Sequence, residues 1–175
     1  MVWLNVKKAD LAEMIVLPEN LIMTQQALSF TPEEMQIRQA DEPDALALLV
    51  AELGYPTEAS QARERLIDIK RAGDSVLVAA HNSKVIGMAV LHRTRFLHRP
   101  PDGRISTLVV FEKYRNFGIG TRLVEAAEAV FREWGCERVE VTSGAKREAA
   151  HRFYNREGYI EQPKRFVKPL SRLAS

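Results

Sequence analysis

Residues 115–120, Arg-Asn-Phe-Gly-Ile-Gly, are the part of the chain whose residue types and spacing point most directly to chemistry. They lie between an apolar run at 108–111 and an amphipathic segment that begins at Thr121, an order that predicts a strand, a turn and a helix. Such a turn presents backbone N–H groups at the positive end of a helix, where a phosphate or pyrophosphate binds. The two glycines allow the main chain to approach the ligand closely. The pattern therefore predicts a cofactor that carries phosphate groups.

Two better-known phosphate-binding patterns do not fit this turn. A dinucleotide fingerprint needs a third glycine or alanine three residues after Gly120, where Leu123 stands. A Walker A loop ends in Gly-Lys-Ser/Thr, which is missing here. The remaining pattern, Arg-x-x-Gly-x-Gly before a helix, is also compatible with an ordinary tight connection. Its interpretation therefore depends on the surrounding sequence.

Two further blocks follow the turn. Residues 138–142, Arg-Val-Glu-Val-Thr, alternate apolar and polar as a strand does, and residues 150–159 contain Ala-His-x-Phe-Tyr-x-x-x-Gly-Tyr. Together with Leu-Val-Val at 108–110 and the glycine turn, they strongly resemble the GNAT superfamily of acetyl-CoA-dependent N-acetyltransferases. The resemblance extends from about Met35 to the C-terminus. It implies acetyl-CoA as cosubstrate, no metal, and direct acetyl transfer in a ternary complex to a primary amine of a small molecule.

The resemblance also implies where the cosubstrate binds. The expected fold is the α/β GNAT fold, with a mixed, mostly antiparallel sheet of six to seven strands, helices on both faces, and strands four and five splayed apart. The pantetheine arm is expected in that gap and the pyrophosphate at the glycine turn, with Lys113, Arg115 and Arg122 adding positive charge. The implied cofactor-binding residues are Val109, Val110, Arg115, Asn116, Phe117, Gly118, Ile119, Gly120 and Thr121, the last through its hydroxyl.

Two residues are expected to act in the chemistry itself. The Val110 N–H is the candidate for stabilising the oxyanion, because a preorganised backbone donor meets developing charge at little cost. Tyr154 matches the position that serves as general acid in many relatives, where it protonates the departing thiolate. The alternative for Tyr154 is a packing role beside Phe153.

The general base is left open by the sequence. Neutralising a lysine-like amine of pKa about 10.4 at pH 7 costs about 4.6 kcal/mol, so a base has substantial work to do. Many similar proteins carry a glutamate at the position of Arg104, and a guanidinium cannot act as a base. The substitutes considered are Glu112, Glu140, His92 and His98. An acetylated Cys136 is a further alternative, although a small buried thiol is the simpler interpretation of that residue.

Composition limits the class of protein. The 175 residues suffice for one domain, and 46% are apolar against 27% charged, as in ordinary globular proteins. No apolar run approaches the roughly 20 residues that span a bilayer, and charged residues interrupt the N-terminal segment where a secretory signal would need an apolar stretch. A net charge of +2 gives no reason to expect nucleic acid, and a single cysteine fits a reducing cytoplasm. We therefore expect a cytoplasmic protein without membrane or nucleic-acid partners.

The chain divides near residue 35. Residues 1–34 have mixed polarity and no clear helical or strand period, whereas the sequence from Met35 resembles the first strand of a GNAT domain. We expect residues 1–34 to be an N-terminal extension and residues 35–175 to be the N-acetyltransferase domain. The extension either lies upstream of the native start or forms an arm on the domain or on a neighbouring subunit, which leaves a homodimer open.

Periodicity and turn signals predict the elements that position the site. The predicted strands after the first cover residues 75–80, 84–91, 105–111, 138–142, 159–160 and 165–168. The strands at 75–80 and 84–91 are expected to form a hairpin whose turn is Asn82-Ser83. The helix that begins near Thr121 is expected to end at Gly135. The predicted helices begin near Asp41, Thr57, Thr121 and Lys146.

Two other functions compete with small-molecule acetylation. The loss of the usual carboxylate at position 104 favours an acyl-CoA-binding module that serves as a sensor or partner surface. The acceptor groove is built from variable loops, which is compatible with protein or peptide N-terminal acetylation. Residues 92–104 contain four arginines and two histidines against Asp102 alone. If these arginines face the acceptor, they favour an amine that also carries an acidic group and disfavour polycations.

Overall fold

A computed structural model describes residues 34–162 and 166–168. Its strands are β1 Met35–Gln39, β2 Ser75–His81, β3 Lys84–Thr94, β4 Asp102–Val110 and β5 Arg138–Val141. Its α-helices are α1 Pro43–Glu52, α2 Ala59–Arg71, α3 Ile119–Glu133 and α4 Glu148–Arg156, with a short 3-10 turn at Glu112–Tyr114. No α-helix within these described residues is long and apolar enough to cross a bilayer.

The five strands form one sheet in the order of the sequence. β1 to β4 are antiparallel neighbours, and β5 lies parallel to β4 at the edge. The predicted mixed, mostly antiparallel α/β fold is therefore confirmed. The predicted count of six to seven strands is wrong for the described part of the chain, which contains five.

The missing strand at 159–160 has a local cause. Gly158 adopts a left-handed conformation, with φ of +86°, and the Tyr159 N–H donates to the Tyr154 carbonyl at 2.9 Å. The backbone at Tyr159 therefore closes the end of α4 instead of pairing with β5. Residues 166–168 are also not extended strand, and Arg165 lies outside the described residues.

Helices cover both faces of the sheet, as predicted. On one face α1 and α2 pack against alternate residues of the strands, with Leu49 and Val78 fully buried at the centre. On the other face α3 covers the intervening residues through Leu123, Ala127 and Phe131. The alternation of strand side chains thus divides the apolar residues between two cores.

The approach of α3 to β4 depends on one glycine. A Cβ at Gly103 would lie 2.3 Å from Cγ of Phe131, so no larger residue fits without moving the helix. Phe131 is itself 1% exposed and contacts Trp134 edge to face at 5.7 Å. The close contact holds the C-terminal half of α3 against the start of β4.

Strands β4 and β5 separate after four residue pairs, as predicted. Pairing runs from Asp102 opposite Arg138 to Ile105 opposite Val141, and residues 106–110 of β4 continue without a β5 partner. A gap therefore opens at Ser106 and continues along β4 towards the loop that leads to α3.

The boundaries of the observed elements differ from the predictions by at most three residues. α1 begins at Pro43 after Glu42, because proline is tolerated where a helix begins and its N–H is not needed. α3 begins at Ile119, two residues earlier than expected, because Gly118 serves as its N-cap. The hairpin turn at Asn82 and Ser83 has positive φ at both residues, as a two-residue connection requires.

Candidate active site

The loop before α3 has the geometry of an anion site. Gly118 is left-handed, with φ of +74°, and Asn116 is left-handed as well, with φ of +68°. The first helical hydrogen bond runs from the Arg122 N–H to the Gly118 carbonyl at 3.1 Å. The amides of Ile119 and Gly120 precede that bond and project from the positive end of the helix.

Gly120 has a second role that the sequence did not indicate. A Cβ at this position would lie 3.2 Å from Cε2 and 3.3 Å from Cζ of Phe153 on α4. The missing side chain therefore lets α4 pack closely against the first turn of α3. The same contact brings Tyr154, the next residue, beside the loop.

The Thr121 hydroxyl has a protein partner. It donates to Oε1 of Glu157 at 2.9 Å, and the Glu157 side chain is only 12% exposed. The bond ties the beginning of α3 to the end of α4. A hydrogen bond from Thr121 to a phosphate requires this proton to turn away from Glu157, and it stays a prediction.

Arg115 joins the loop to β4 and α1. Its Nε donates to the Val110 carbonyl at 3.1 Å, and its guanidinium lies 3.6 Å from Oε1 of Glu52. The same Glu52 oxygen accepts the Glu112 N–H at 2.7 Å. Glu52 is sixty residues from Glu112, so local sequence patterns give no signal for its position at the cleft.

The positive charge at the cleft comes mainly from α4 and the segment before it. Lys113 lies over the Tyr114 ring at 5.2 Å, and Arg122 donates to the Met35 carbonyl at 3.2 Å. The cations that line the cleft beside Arg115 were missed by the sequence reasoning; they are Lys146, Arg147, Arg152 and Arg156. The four-residue spacing of Arg152 and Arg156, which puts them on one side of a helix, was the available signal.

The peptide groups that face the β4–β5 gap follow from strand alternation. The Phe111 N–H donates to the Ile86 carbonyl of β3 at 3.0 Å. Peptide groups alternate in direction along an antiparallel strand, so Val109 also faces β3, whereas Leu108 and Val110 face the gap. Val110 therefore lies as the oxyanion prediction requires. Leu108, two residues nearer to Ser106, was not predicted as a residue whose peptide group faces the gap. The two-residue alternation of a strand could have identified it.

Tyr154 lines the cleft together with Phe153. Its ring makes edge-to-face contacts with Phe153 at 5.2 Å and with Tyr159 at 5.6 Å. Burial raises the pKa of the Tyr154 phenol above its ordinary value, and the charge of Arg147 only partly offsets this effect. The phenol therefore keeps its proton at neutral pH, which is the state that a general acid needs.

One cleft of about 750 Å³ joins these features. Its walls are the open edge of β4, the loop before α3 and the inner side of α4. Among the residues that line it are Leu108, Val109, Val110, Arg115, Asn116, Gly118, Ile119, Gly120, Thr121 and Tyr154. Of the predicted site residues only Phe117, which is 38% exposed, is absent from this lining.

Comparison with known proteins identifies the family. The model of the acetyltransferase (GNAT) family matches residues 35–159. The chain belongs to this family. GNAT acetyltransferases use acetyl-CoA, and the enzyme class predicted from the sequence, an acetyl-CoA-dependent acetyltransferase, is confirmed.

Individual relatives of this GNAT protein differ in what they acetylate. It is 42% identical over 94 residues to an aminoalkylphosphonate N-acetyltransferase of Salmonella typhimurium, spanning 53% of this chain and 61% of that relative. An uncharacterized N-acetyltransferase of Chlorobaculum tepidum is 32% identical over 133 residues, 74% of this chain and 78% of its own length. An aminoglycoside N-acetyltransferase solved with CoA aligns with a TM-score of 0.70 over 82% of this chain and 99% of its own, at 16% identity.

The candidate bases of this GNAT domain have separate environments. Glu140 lies opposite Arg104 on β5 and faces its guanidinium at 3.6 Å. Glu112 is exposed on the 3-10 turn, and His98 is exposed beside the Phe96 ring at 5.7 Å. His92 is the exception, because both of its ring nitrogens have side-chain partners: Asp74 and Ser106. Burial raises the pKa of the Cys136 thiol, which disfavours a reactive thiolate.

The arginines of residues 92–104 do not form one patch. Arg99 makes a two-point contact with Asp102 and lies over the Phe96 ring at 3.6 Å, so its charge is used within the protein. Arg93 belongs to the strand positions that face α3. Arg104 makes only a 3.6 Å contact with the half-exposed Glu140 and a 3.3 Å bond to Thr142. Among these three arginines, Arg104 is the best placed to meet a ligand near the gap.

Proposed function

We propose that this protein transfers the acetyl group of acetyl-CoA to the primary amine of a small molecule that also carries an acidic group. The transfer is a direct attack in a ternary complex. One observation carries the proposal: a single cleft joins the N-terminus of α3, the unpaired edge of β4 and the protonated phenol of Tyr154. These are the three parts that phosphate binding, donor alignment and leaving-group protonation require.

The cleft fits acetyl-CoA, which supplies an activated acetyl thioester. The amides of the loop at 116–121 and the surrounding cations would hold the pyrophosphate, because they provide both directed donors and charge. The peptide groups of Leu108 and Val110 would pair with the pantetheine arm, and the side chain and backbone of Val109 would close the wall behind them. The N–H groups of Leu108 and Val110 are the candidates for meeting the oxyanion, Leu108 being nearer to the point where the strands separate.

Tyr154 would protonate the leaving sulfur. Its pKa is raised by burial, so the phenol is protonated before the reaction and can give its proton as the C–S bond breaks. The edge-to-face contacts on both sides of the ring limit its rotation. Orientation of this kind reduces the entropy that is lost on reaching the transition state.

The acidic group of the acceptor is supported by two independent observations. Arg104 borders the beginning of the gap with donors that suit a carboxylate or phosphonate. The Salmonella typhimurium relative is named for aminoalkylphosphonates, which combine an amine with such an acid. A polycationic acceptor would meet Arg104 with like charge.

An acceptor panel tests the proposal. Free thiol released from acetyl-CoA is measured with 2-aminoethylphosphonate, an amino acid, spermidine, kanamycin and a short peptide with a free N-terminus. We expect kcat/KM to be highest for 2-aminoethylphosphonate, and Arg104→Glu to lower it more than the neutral control Arg104→Gln does. A wild-type preference for spermidine or kanamycin would contradict the acidic acceptor, and CoA binding without turnover on any amine would favour a sensor role.

A further inference from the structure

A chain of three side chains links the interior of the domain to the beginning of the gap. Oδ2 of Asp74 lies 2.6 Å from Nδ1 of His92, and Nε2 of His92 lies 2.8 Å from Oγ of Ser106. An ionised carboxylate accepts, so Nδ1 carries the proton and Nε2 accepts the Ser106 hydroxyl proton. The order carboxylate, imidazole, hydroxyl is that of a proton relay.

The fold holds the inner end of this relay in place. Asp74 follows Gly73, whose φ is +78°, and its N–H donates to the Ile69 carbonyl in the turn that ends α2. The other Asp74 oxygen, Oδ1, accepts the Arg93 N–H at 3.1 Å. Asp74 is thus oriented by backbone groups from two elements, and His92 has little freedom to leave it.

The outer end of the relay is a β-bulge. Leu91 is paired with Ile105 and Val90 with Thr107, so Ser106 is an extra residue of β4 with no partner on β3. A bulge redirects side chains, and here the Ser106 hydroxyl bonds to His92. By strand alternation, His92 lies on the face of the sheet that α1 and α2 cover. Exposure increases along the relay, from 15% for the Asp74 side chain and 32% for His92 to an exposed Ser106.

Ser106 lies where the gap begins. Ile105 is the last β4 residue paired with β5, and Val110, at the far end of the gap, contacts the phosphate-binding loop through Arg115. Four residues of strand span about 13 Å. Ser106 is therefore the β4 side chain farthest from the loop that still borders the gap.

We propose that Ser106, His92 and Asp74 take the proton from the acceptor ammonium, an inference that rests on the proposed function. As an N–H bond of the ammonium breaks, its proton passes to Ser106 Oγ while the Ser106 hydroxyl proton passes to Nε2 of His92. The amine keeps the electron pair and forms the N–C bond to the acetyl carbon. The C–S bond breaks, and the sulfur receives the Tyr154 proton. The second N–H proton of the former ammonium leaves to water as the amide forms, and the Tyr154 phenolate is reprotonated from solvent. Asp74 stabilises the imidazolium that is left.

The neighbouring charges are compatible with this role. Arg104 lies opposite His92 across the two strands, but its guanidinium points to Glu140 and Thr142. Asp74 is the charged group in direct contact with the ring. Ser106 would touch the substrate, whereas His92 and Asp74 act through it, and together they supply the base that Arg104 cannot be.

The kinetic test compares two acceptors that differ in basicity, 2-aminoethylphosphonate and its 1,1-difluoro analogue. We expect His92→Gln to lower kcat on the parent amine by about 10²-fold or more, as loss of a general base does. The defect should shrink to a few-fold on the analogue, which is less protonated, and the KM for acetyl-CoA should not change. Asp74→Asn should behave in the same way, Ser106→Thr should retain activity that Ser106→Ala loses, and His98→Gln is the matched control.

Two kinetic results would overturn the relay: full activity of His92→Gln, or equal defects on both amines. An acetyl group found covalently on Ser106 would also overturn it. A measurement without turnover separates this inference from the proposed function. In the proton NMR spectrum we expect a strongly deshielded Nδ1 proton of His92 that disappears in Asp74→Asn. Its absence from the wild-type spectrum would refute the relay even if the acceptor were misassigned. Wild-type protein that shows the resonance but acetylates no amine would instead refute the proposed function.

Discussion

At the scale of single residues, the two glycines of the loop meet different physical demands. Gly118 has a left-handed backbone, and a Cβ there would point into open space. Gly120 lacks that conformation, but a Cβ there would press on the Phe153 ring. A substitution at Gly120 therefore also disturbs helix packing, whereas a substitution at Gly118 is the cleaner probe of the proposed phosphate site.

Gly118→Asp should weaken CoA binding while Gly118→Asn does not. Both side chains tolerate the left-handed region better than most and have the same shape, so they differ mainly in charge. A carboxylate near the pyrophosphate costs about 1–4 kcal/mol, which corresponds to about 5- to 1000-fold in affinity. Calorimetric titration with CoA measures the difference, and equal affinities of the two variants would show that the phosphates bind elsewhere.

Tyr154→Phe should lower kcat by about 10²–10⁴-fold with little change in acetyl-CoA affinity, since a general acid matters only as charge develops. A general acid must be protonated, so activity is lost as the pH rises through its pKa. Because burial raises the Tyr154 pKa, the wild-type kcat should fall only above the ordinary phenol range near pH 10. Stopped-flow measurement of the chemical step checks both points, with Tyr159→Phe as control. An unchanged rate of that step in Tyr154→Phe would show that Tyr154 has only a packing role.

At the scale of elements, Asp102 holds the closed end of the β4–β5 pair. It begins β4, its side chain is 3% exposed, and it accepts two-point contacts from Arg99 of the preceding loop and Arg138 of β5. These arginines, Arg99 foremost, lower the Asp102 pKa to about 2. The acidic loop residue noted in the sequence is therefore the anchor from which the two strands diverge.

Asp102→Asn should destabilise the fold in a pH-dependent way. A carboxylate whose folded pKa lies below its unfolded value of 3.8 contributes stability above pH 4 and loses it as the pH falls towards 2. The contribution is about 2 kcal/mol. Urea unfolding at pH 7 should therefore show the variant less stable by about that amount, and the difference should shrink below pH 4. Asp68→Asn, on a side chain that is 76% exposed, is the matched control and should change little.

At the scale of the whole molecule, one sheet separates two cores and opens at one edge. Met35, the first residue of β1, is 2% exposed, and its carbonyl accepts a bond from Arg122 of α3. The first strand is thus connected to the helix whose N-terminus forms the proposed phosphate site. A binding site at the edge of the sheet consequently depends on the whole set of packed elements.

A chain that begins at Met35 should fold and bind CoA as tightly as the full chain, because the described core and cleft are built from residues after 34. Calorimetry with CoA and size-exclusion chromatography of both lengths provide the measurement. Loss of binding or solubility in the shorter chain would assign residues 1–34 to the fold. A dimer formed by the full chain alone would assign them to an interface.

The features that the sequence determined are local ones. The hairpin at Asn82 and Ser83, the left-handed Gly118 before a helix, and the end of that helix at Gly135 follow from backbone preferences of a few neighbouring residues. The order of the blocks was enough to predict the GNAT fold, and the helical and strand periods assigned residues such as Leu123 and Phe131 to the core. The same order of blocks predicted that the glycine loop and Tyr154 belong to one site, and Tyr154 and all residues of the predicted loop except Phe117 line the cleft.

The remaining features depended on strand register and helix packing, which join residues distant in sequence. The bulge at Ser106 changes which β4 residues face which side, and no local pattern announces it. Asp74 precedes β2, and it meets His92 of β3 and Ser106 of β4 only because these three strands are neighbours in the sheet. Likewise Glu157 contacts Thr121 across 36 residues. Such contacts are selected by the packing of the whole chain, because their free energies are small beside that of the core, and tertiary structure alone decides them.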